Sequence, residues 1–391
     1  MIETLYLLSL LFTLLILKAH PASMVFVFLV NMLSGFTPLI TTLMRYDLVL
    51  FDKHLVLSML LIFNFSIFIL HIIYLLLKNK KVILFSVKNY KYSRFIFYVF
   101  SLFTLFLVYQ NISQGFQVIN NGYIAGYQDA SEQTIKATSF FPFLLIFYFL
   151  LFVFYLKDRR KIYLVLMGCI IASYLMYGGR SFLLYTSISS VVFLILIKRI
   201  TYKQFAIVSI CALPLIVLAG ALREGGSGAL DSTILFRMSM EMANIPMIIS
   251  NLNVLDDINQ PLIIVALSTL PHSIILSLGI EPINSLSTEF VTNYDPGWAK
   301  AGGGFGFSII GEIYYRFGYF GLMTVPYCIV LLLHNLERKF IKGDEFDKAL
   351  ILTFYYGMIM WVRGDFIEIS RLLMIVLFFY YVKRFAYRNG K

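Results

Sequence analysis

GGGFGFSIIGEIYYRFGYFG, residues 302–321, closes the one long segment of this chain, Ala221–Arg316, that reads as polar loop and irregular helix. That segment opens at AlaLeuArg (221–223) and passes a proline-broken apolar run around His272. On either side of it the sequence is a series of apolar runs of about 16–25 residues, and some 20 such residues cross the hydrocarbon of a bilayer. With 60% hydrophobic and 14% charged residues among 391, the chain has too little polar surface for a soluble fold. The reading is an all-α polytopic membrane protein in which the spans hold residues 221–316 at one face.

About eleven spans are expected by length, near 4–17, 22–44, 55–77, 95–110, 138–156, 162–178, 182–197, 204–222, 317–334, 349–362 and 366–382. The first run, Leu5–Leu17, lacks a small-residue cleavage site and is read as a span, not a signal peptide. Alternate loops carry Lys78, Lys80, Lys81, Lys88, Lys91 and Arg94, then LysAspArgArgLys (157–161), then Lys198, Arg199 and Lys203, then Arg338, Lys339, Lys342 and Lys348, and finally Lys383, Arg384, Arg388 and Lys391. The positive-inside rule makes those loops cytoplasmic, which places about 22 of the 32 cations inside and the amino terminus outside. The formal charge of +11 is therefore a topology signal and not a nucleic-acid surface. Cys169, Cys211 and Cys328 sit in apolar runs without motif spacing, so no disulfide framework or zinc site is suggested.

The run 261–278 is nearly long enough to cross. If it did, Pro271 and His272 would sit at mid-bilayer and every later basic loop would move outside, against the charge rule. It is read as a pair of interfacial or re-entrant helices broken at Pro271. One membrane domain, 1–391, with a large outer loop at 221–316 is the expected organisation.

Chemistry is sought where cations stand against the topology rule. The outer set is mostly Arg (Arg45, Arg180, Arg223, Arg237, Arg316, Arg363, Arg371), whereas the inner set is mostly Lys. Only Arg offers a planar, permanently charged fork suited to phosphate or carboxylate. Five of these arginines occur at span ends, in GGRSFLL (178–184), ALREGG (221–226), GEIYYRFG (311–318) and RGDFIEISR (363–371), and an outward-facing anion site is expected there.

Each feature also has a plainer reading. Glu312 and Arg316, four apart on a helix, and Glu368 and Arg371, three apart, are spaced to pair with each other. Arg371 lies about 12 Å of helix beyond Arg363 and should face the bundle interior. The glycines at 302–304, 306, 311, 318 and 321 suit close helix packing as well as backbone approach to an anion. Asp256 and Asp257, without nearby His, read as solvated acids, and neither a metal nor another cofactor is expected. Of the outer histidines His54 and His272, His272 is the better base, with Glu312 and Asp365 as other candidates. Tyr294, Trp298, Tyr314 and Tyr315 offer faces for sugar rings or anchors at a membrane interface.

The outer GGRSFLL, the long outer loop, GGGFGFSIIGEIYYRFGYFG and RGDFIEISR together resemble the bacterial oligosaccharide repeat-unit polymerases, the Wzy-type O-antigen polymerases, over about the last 220 residues. That resemblance implies a membrane glycosyltransferase, GT-C-like in fold, in the bacterial inner membrane with its site facing the periplasm. It implies transfer of the growing glycan from undecaprenyl diphosphate to the terminal sugar of a new carrier-linked unit. Arg180, Arg223, Arg363 and Arg371, with Arg316, would bind the diphosphate, Tyr294, Trp298 and Tyr314 would contact sugar, and a chain-length regulator is a possible partner. No nucleic-acid partner and no nucleotide-sugar donor are expected, since no nucleotide motif is present. An O-antigen ligase acting on lipid A core would use the same outer arginines and differ in acceptor. A transporter or flippase would place charges along a path to both faces, and the inner halves of these spans are nearly free of charge.

Overall fold

The computed structural model of the chain describes residues 2–43, 51–77, 94–121, 141–176, 180–205, 207, 242–255, 260, 265, 279, 283–300 and 304–389. Every regular element among them is helical: α1 (Ile2–Ile16), α2 (Pro21–Leu43), α3 (Lys53–Leu77), α4 (Arg94–Asn121), α5 (Phe141–Asp158), α6 (Lys161–Met176), α7 (Arg180–Leu196), α8 (Asn244–Ser250), a 3-10 turn (Leu252–Leu255), α9 (Leu286–Tyr294), α10 (Pro296–Lys300), α11 (Ile309–Lys342), α12 (Glu345–Trp361) and α13 (Phe366–Asn389). Helices satisfy their own backbone groups, which is what a chain this apolar requires in lipid. Four of the helices, at Pro21–Thr42, Lys53–Leu76, Phe141–Asp158 and Ile309–Lys342, are long and apolar enough to cross a membrane. Shorter apolar helices fall at Ile2–Ile16, Phe100–Ser113, Lys161–Met176, Ser181–Leu196 and Leu372–Lys383. The expected span at 204–222 lies almost wholly outside the described residues.

The chain divides into two compact units, one of Met1–Lys81, Val191–His334 and Met360–Glu368, the other of Val82–Ser190, Asn335–Ile359 and Ile369–Lys391. In the first, α1 packs on α2 and α3. Buried polar groups tie these apolar helices together. Asn31 and Asn64 exchange side-chain amide bonds of 3.0 and 2.9 Å, and Thr13 Oγ1 donates to the Asn64 carbonyl at 3.0 Å. Where lipid and side chain are equally apolar, such bonds and small residues do what hydrophobic contrast cannot. Ser23 and Ser66 donate to the Val330 and Leu322 carbonyls and so fasten α2 and α3 to α11.

In the second unit α4, α5 and α6 pack together, and aromatic rings fill the interior. Phe100, Phe143, Phe346 and Phe379 form one cluster, and Tyr174 stacks on Phe182 at 4.2 Å beside Phe141 and Tyr356 in another. At one end of this unit Lys157 pairs with Glu345 at 2.6 Å, and Lys383 bridges Asp344 and Asp347 at 2.5 and 2.7 Å. Three of the expected cytoplasmic loops thus meet through charge. Glu345 is drawn upward by burial, but the hydrogen bond from Lys157 and its own backbone outweigh this and hold its carboxyl below the usual range.

The closing stretch of the polar segment is more helical than its composition suggests. α11 begins at Ile309 and includes Glu312 and Arg316. Its backbone breaks helical geometry at Gly318 (φ 59, ψ −153), a conformation open to glycine and costly for any other residue. That kink falls between the Glu312–Arg316 turn and the apolar body of the helix, at the expected boundary between loop and span.

Candidate functional site

The first unit gathers α8, the 3-10 turn, α9 and the start of α11 around an apolar core of Met247, Ile248, Leu252, Leu255, Leu286, Phe290 and Phe307. Ser285 starts α9 by accepting from Thr288 N, a standard cap that fills an orphan donor of the first turn. Asp52 N donates to Ser250 Oγ at 2.9 Å, so the α2–α3 connection touches the same assembly. Tyr315 OH donates to the Leu255 carbonyl at 3.2 Å and sets the rotation of the first turns of α11.

At the centre is Glu312. Its Oε1 accepts from Arg316 Nε at 2.8 Å, and its Oε2 accepts from Trp361 Nε1 and from Phe366 N, both at 2.8 Å. The pair is buried, with side-chain exposures of 6% for Arg316 and 2% for Glu312. One carboxylate therefore joins the start of α11, the end of α12 and the start of α13. Asp365 works alongside it: its buried Oδ2 accepts from Ser287 N at 3.0 Å and ties the 362–365 turn to the first turn of α9. Charge-assisted bonds of this kind are stronger than neutral ones and fix geometry in a buried setting.

This frame holds Arg363. Its carbonyl accepts from Phe307 N at 3.0 Å, its own N–H closes a turn on Met360 O at 3.2 Å, and its side chain is exposed. Gly306 lies directly under it with φ +75, and a Cβ there would stand 2.8 Å from the Arg363 carbonyl oxygen. Gly306 is needed both for its left-handed conformation and for that close approach. Arg316 Nη1 donates to the Gln260 carbonyl at 3.3 Å, while Nη2 is buried with no hydrogen-bond partner among the described residues, as is Gln260 Oε1.

The other expected site residues are distributed as follows. Tyr294 is half-buried, stacked on Phe290 at 5.2 Å and edge-on to Phe305 at 5.9 Å. Trp298 is exposed, its N–H donating to Asp295 Oδ1 at 2.9 Å, and Tyr314 lies edge-on to Tyr319 at 5.0 Å. Arg180 is the first residue of α7 and Arg371 lies in α13, both in the second unit, and their side chains fall outside the described residues. Arg223 and His272 also fall outside the described residues, as does most of 261–278. The i, i+4 spacing anticipated the Glu312–Arg316 pair. It did not anticipate Trp361, Ser287 or Gln260. For Trp361 a signal was present, since an indole N–H at a buried helix end needs an acceptor.

No curated protein and no solved structure matches the chain. The match to a family model, in contrast, runs over residues 1–389 and so takes in the amino-terminal helices, which carry no motif of their own. That model is described as O-antigen polysaccharide polymerase Wzy, and the chain belongs to this family of multi-pass membrane proteins.

Proposed function

We propose that this protein polymerises lipid-linked oligosaccharide repeat units into O-antigen or a similar surface polysaccharide. The acceptor sugar hydroxyl forms a new bond to the anomeric carbon of the growing glycan, the bond from that carbon to phosphate breaks, and undecaprenyl diphosphate leaves with the electron pair. Family membership supports the reaction class. The observation that carries the site is the framing of Arg363, an exposed residue whose backbone is fixed by Phe307 N and Gly306. A fixed backbone sets where the fork starts, and a fork within reach of a leaving diphosphate stabilises the charge that develops on it.

In this reading Arg180, Arg223, Arg363 and Arg371 take the diphosphate, with the unfilled Nη2 of Arg316 as a further donor. His272 accepts the proton of the attacking hydroxyl. Glu312 and Asp365 orient the site and are not the base, because their oxygens hold Arg316, Trp361, Phe366 and Ser287. Exposed Trp298, with Tyr294 and Tyr314, receives sugar. About eleven spans in one GT-C-like membrane domain, with the 221–316 loop in the periplasm, complete the arrangement in the bacterial inner membrane.

The test is complementation of a strain lacking this gene, read on a surface-glycan gel. Wild type restores the ladder. Arg363→Lys keeps charge and topology but lowers polymer yield at least about tenfold, the worth of one charge-assisted hydrogen bond of about 1.5–3 kcal/mol. Long chains left on the lipid carrier in the deletion strain would identify a ligase, and an unchanged ladder would remove both readings.

A further inference from the structure

Three of the chain's five histidines, His20, His71 and His334, converge at the end of the first unit away from Arg363. They come from the turn before α2, the last turns of α3 and the far half of α11. His20 Nδ1 and His334 Nδ1 stand 2.6 Å apart, with ring centroids 3.8 Å apart at 80°. The His71 ring is edge-on to His20 at 6.0 Å, and Tyr74 and Tyr327 close the cluster around it. Lys18, two residues from His20, accepts from Tyr202 OH through its carbonyl at 2.8 Å, so the cluster lies beside the basic connections expected on the cytoplasmic face.

The geometry points to a divalent transition-metal site of the zinc class, held by His20, His334 and Glu337, whose ligand atoms all lie within 4.8 Å of one another. Two imidazole nitrogens facing each other require one to donate and the other to accept. Turning both lone pairs onto one ion replaces that hydrogen bond with two metal bonds, and the displaced proton moves to the far ring nitrogen or to water. Zinc–nitrogen bonds of about 2.0–2.1 Å put two tetrahedral ligand atoms about 3.3 Å apart, so the two Nδ1 atoms, now 2.6 Å apart, part by less than about 1 Å as the rings turn outward. Two neutral imidazoles with one carboxylate are a zinc or cobalt donor set and a poor one for magnesium or calcium. Glu337, three residues beyond His334 on the same helix, adds a carboxylate to the same helix face. No step of the polymerase reading uses these residues. The metal would be structural, clamping residues 20 and 334, which are far apart in sequence, and so closing a long loop of chain.

The test uses tag-free full-length protein in detergent, stripped with chelator and titrated with cobalt(II). Wild type is expected to bind one equivalent with the visible absorption of a tetrahedral nitrogen–oxygen site, displaced by zinc(II). His20→Ala and His334→Ala each weaken binding by at least about tenfold, since even outer-shell partners of a metal site are worth about 10–100-fold. His54→Ala, at the other end of the unit, binds as wild type. Unfolding of the wild type with and without zinc needs no variant: its midpoint should rise with metal and fall back with chelator. Absence of cobalt binding and of any zinc-dependent midpoint shift in the wild type, or wild-type binding by both His20→Ala and His334→Ala, would leave a hydrogen-bonded histidine pair and overturn the proposal.

Discussion

Gly306 and Gly304 stand two residues apart in the same glycine run, and the structure gives them different duties. A Cβ at Gly304 meets nothing within 4 Å, whereas at Gly306 it meets the Arg363 carbonyl oxygen at 2.8 Å on a backbone with φ +75. Gly306→Ala should cost about 1–3 kcal/mol of local strain and displace Arg363, so polymer yield falls while the protein is still found in the membrane. Gly304→Ala should complement like wild type. Equal behaviour of the two would mean that the run serves helix packing alone. Glu312 makes a sharper demand on stability. Glu312→Gln keeps an oxygen for Trp361 and Phe366 but leaves the Arg316 charge buried without its counter-ion, a loss of about 3–5 kcal/mol. Thermal unfolding in detergent reads this directly, and a midpoint like that of the wild type would show that the pair carries little.

The helices were legible in the sequence because a bilayer imposes one length and one chemistry on them, and the apolar runs of α2, α3, α5 and α11 satisfy both. Local spacing made the Glu312–Arg316 pair legible as well. What spacing cannot show is contact between distant residues: Ser287 with Asp365, Gly306 with Arg363, or His20 with His334. Those depend on how helices pack, which a nearly uniform apolar pattern leaves open. The same holds for the bridge from α13 to the α11–α12 connection, where Lys383 meets Asp344 and Asp347. Burial raises the Asp347 carboxyl above its ordinary range, and Lys383 works against that rise. An acid whose folded value lies above its unfolded one favours the protonated folded state. Its penalty is therefore present at neutral pH and relieved as pH falls through the folded value. Lys383→Met removes the opposing charge and enlarges that penalty, so the variant should lose about 1 kcal/mol at neutral pH and recover part of it near pH 5. Unfolding midpoints at the two pH values, each against wild type, decide it, and a deficit that does not change with pH would remove Asp347 as the cause.

Within each unit, every described contact between connections joins segments that the charge rule assigns to the same side. In the first unit the 45–54 connection meets α8 through Asp52 and Ser250, and the turn after α1 meets the 198–203 connection through Lys18 and Tyr202. In the second, the end of α5, the α11–α12 connection with the start of α12, and the last turns of α13 share the Lys157–Glu345 and Lys383–Asp344 bridges. This sorting follows the alternation of sides that the charge rule assigns, and moving 261–278 into the bilayer would break it for contacts between earlier and later connections. The reading predicts the outcome of cysteine labelling. With Cys169, Cys211 and Cys328 replaced, a single cysteine at Asp52 or Trp298 should react with a membrane-impermeant maleimide added to intact spheroplasts. A cysteine at Lys18, Asp158 or Lys342 should react only after the membrane is opened. Trp298 is the decisive position, because it lies after the 261–278 run and is exposed at the proposed sugar-binding face. If it labels with Lys18 and not with Asp52, the run crosses the membrane, the arginines of the two ends of the polar segment fall on opposite sides, and no single periplasmic diphosphate site can contain both Arg223 and Arg363.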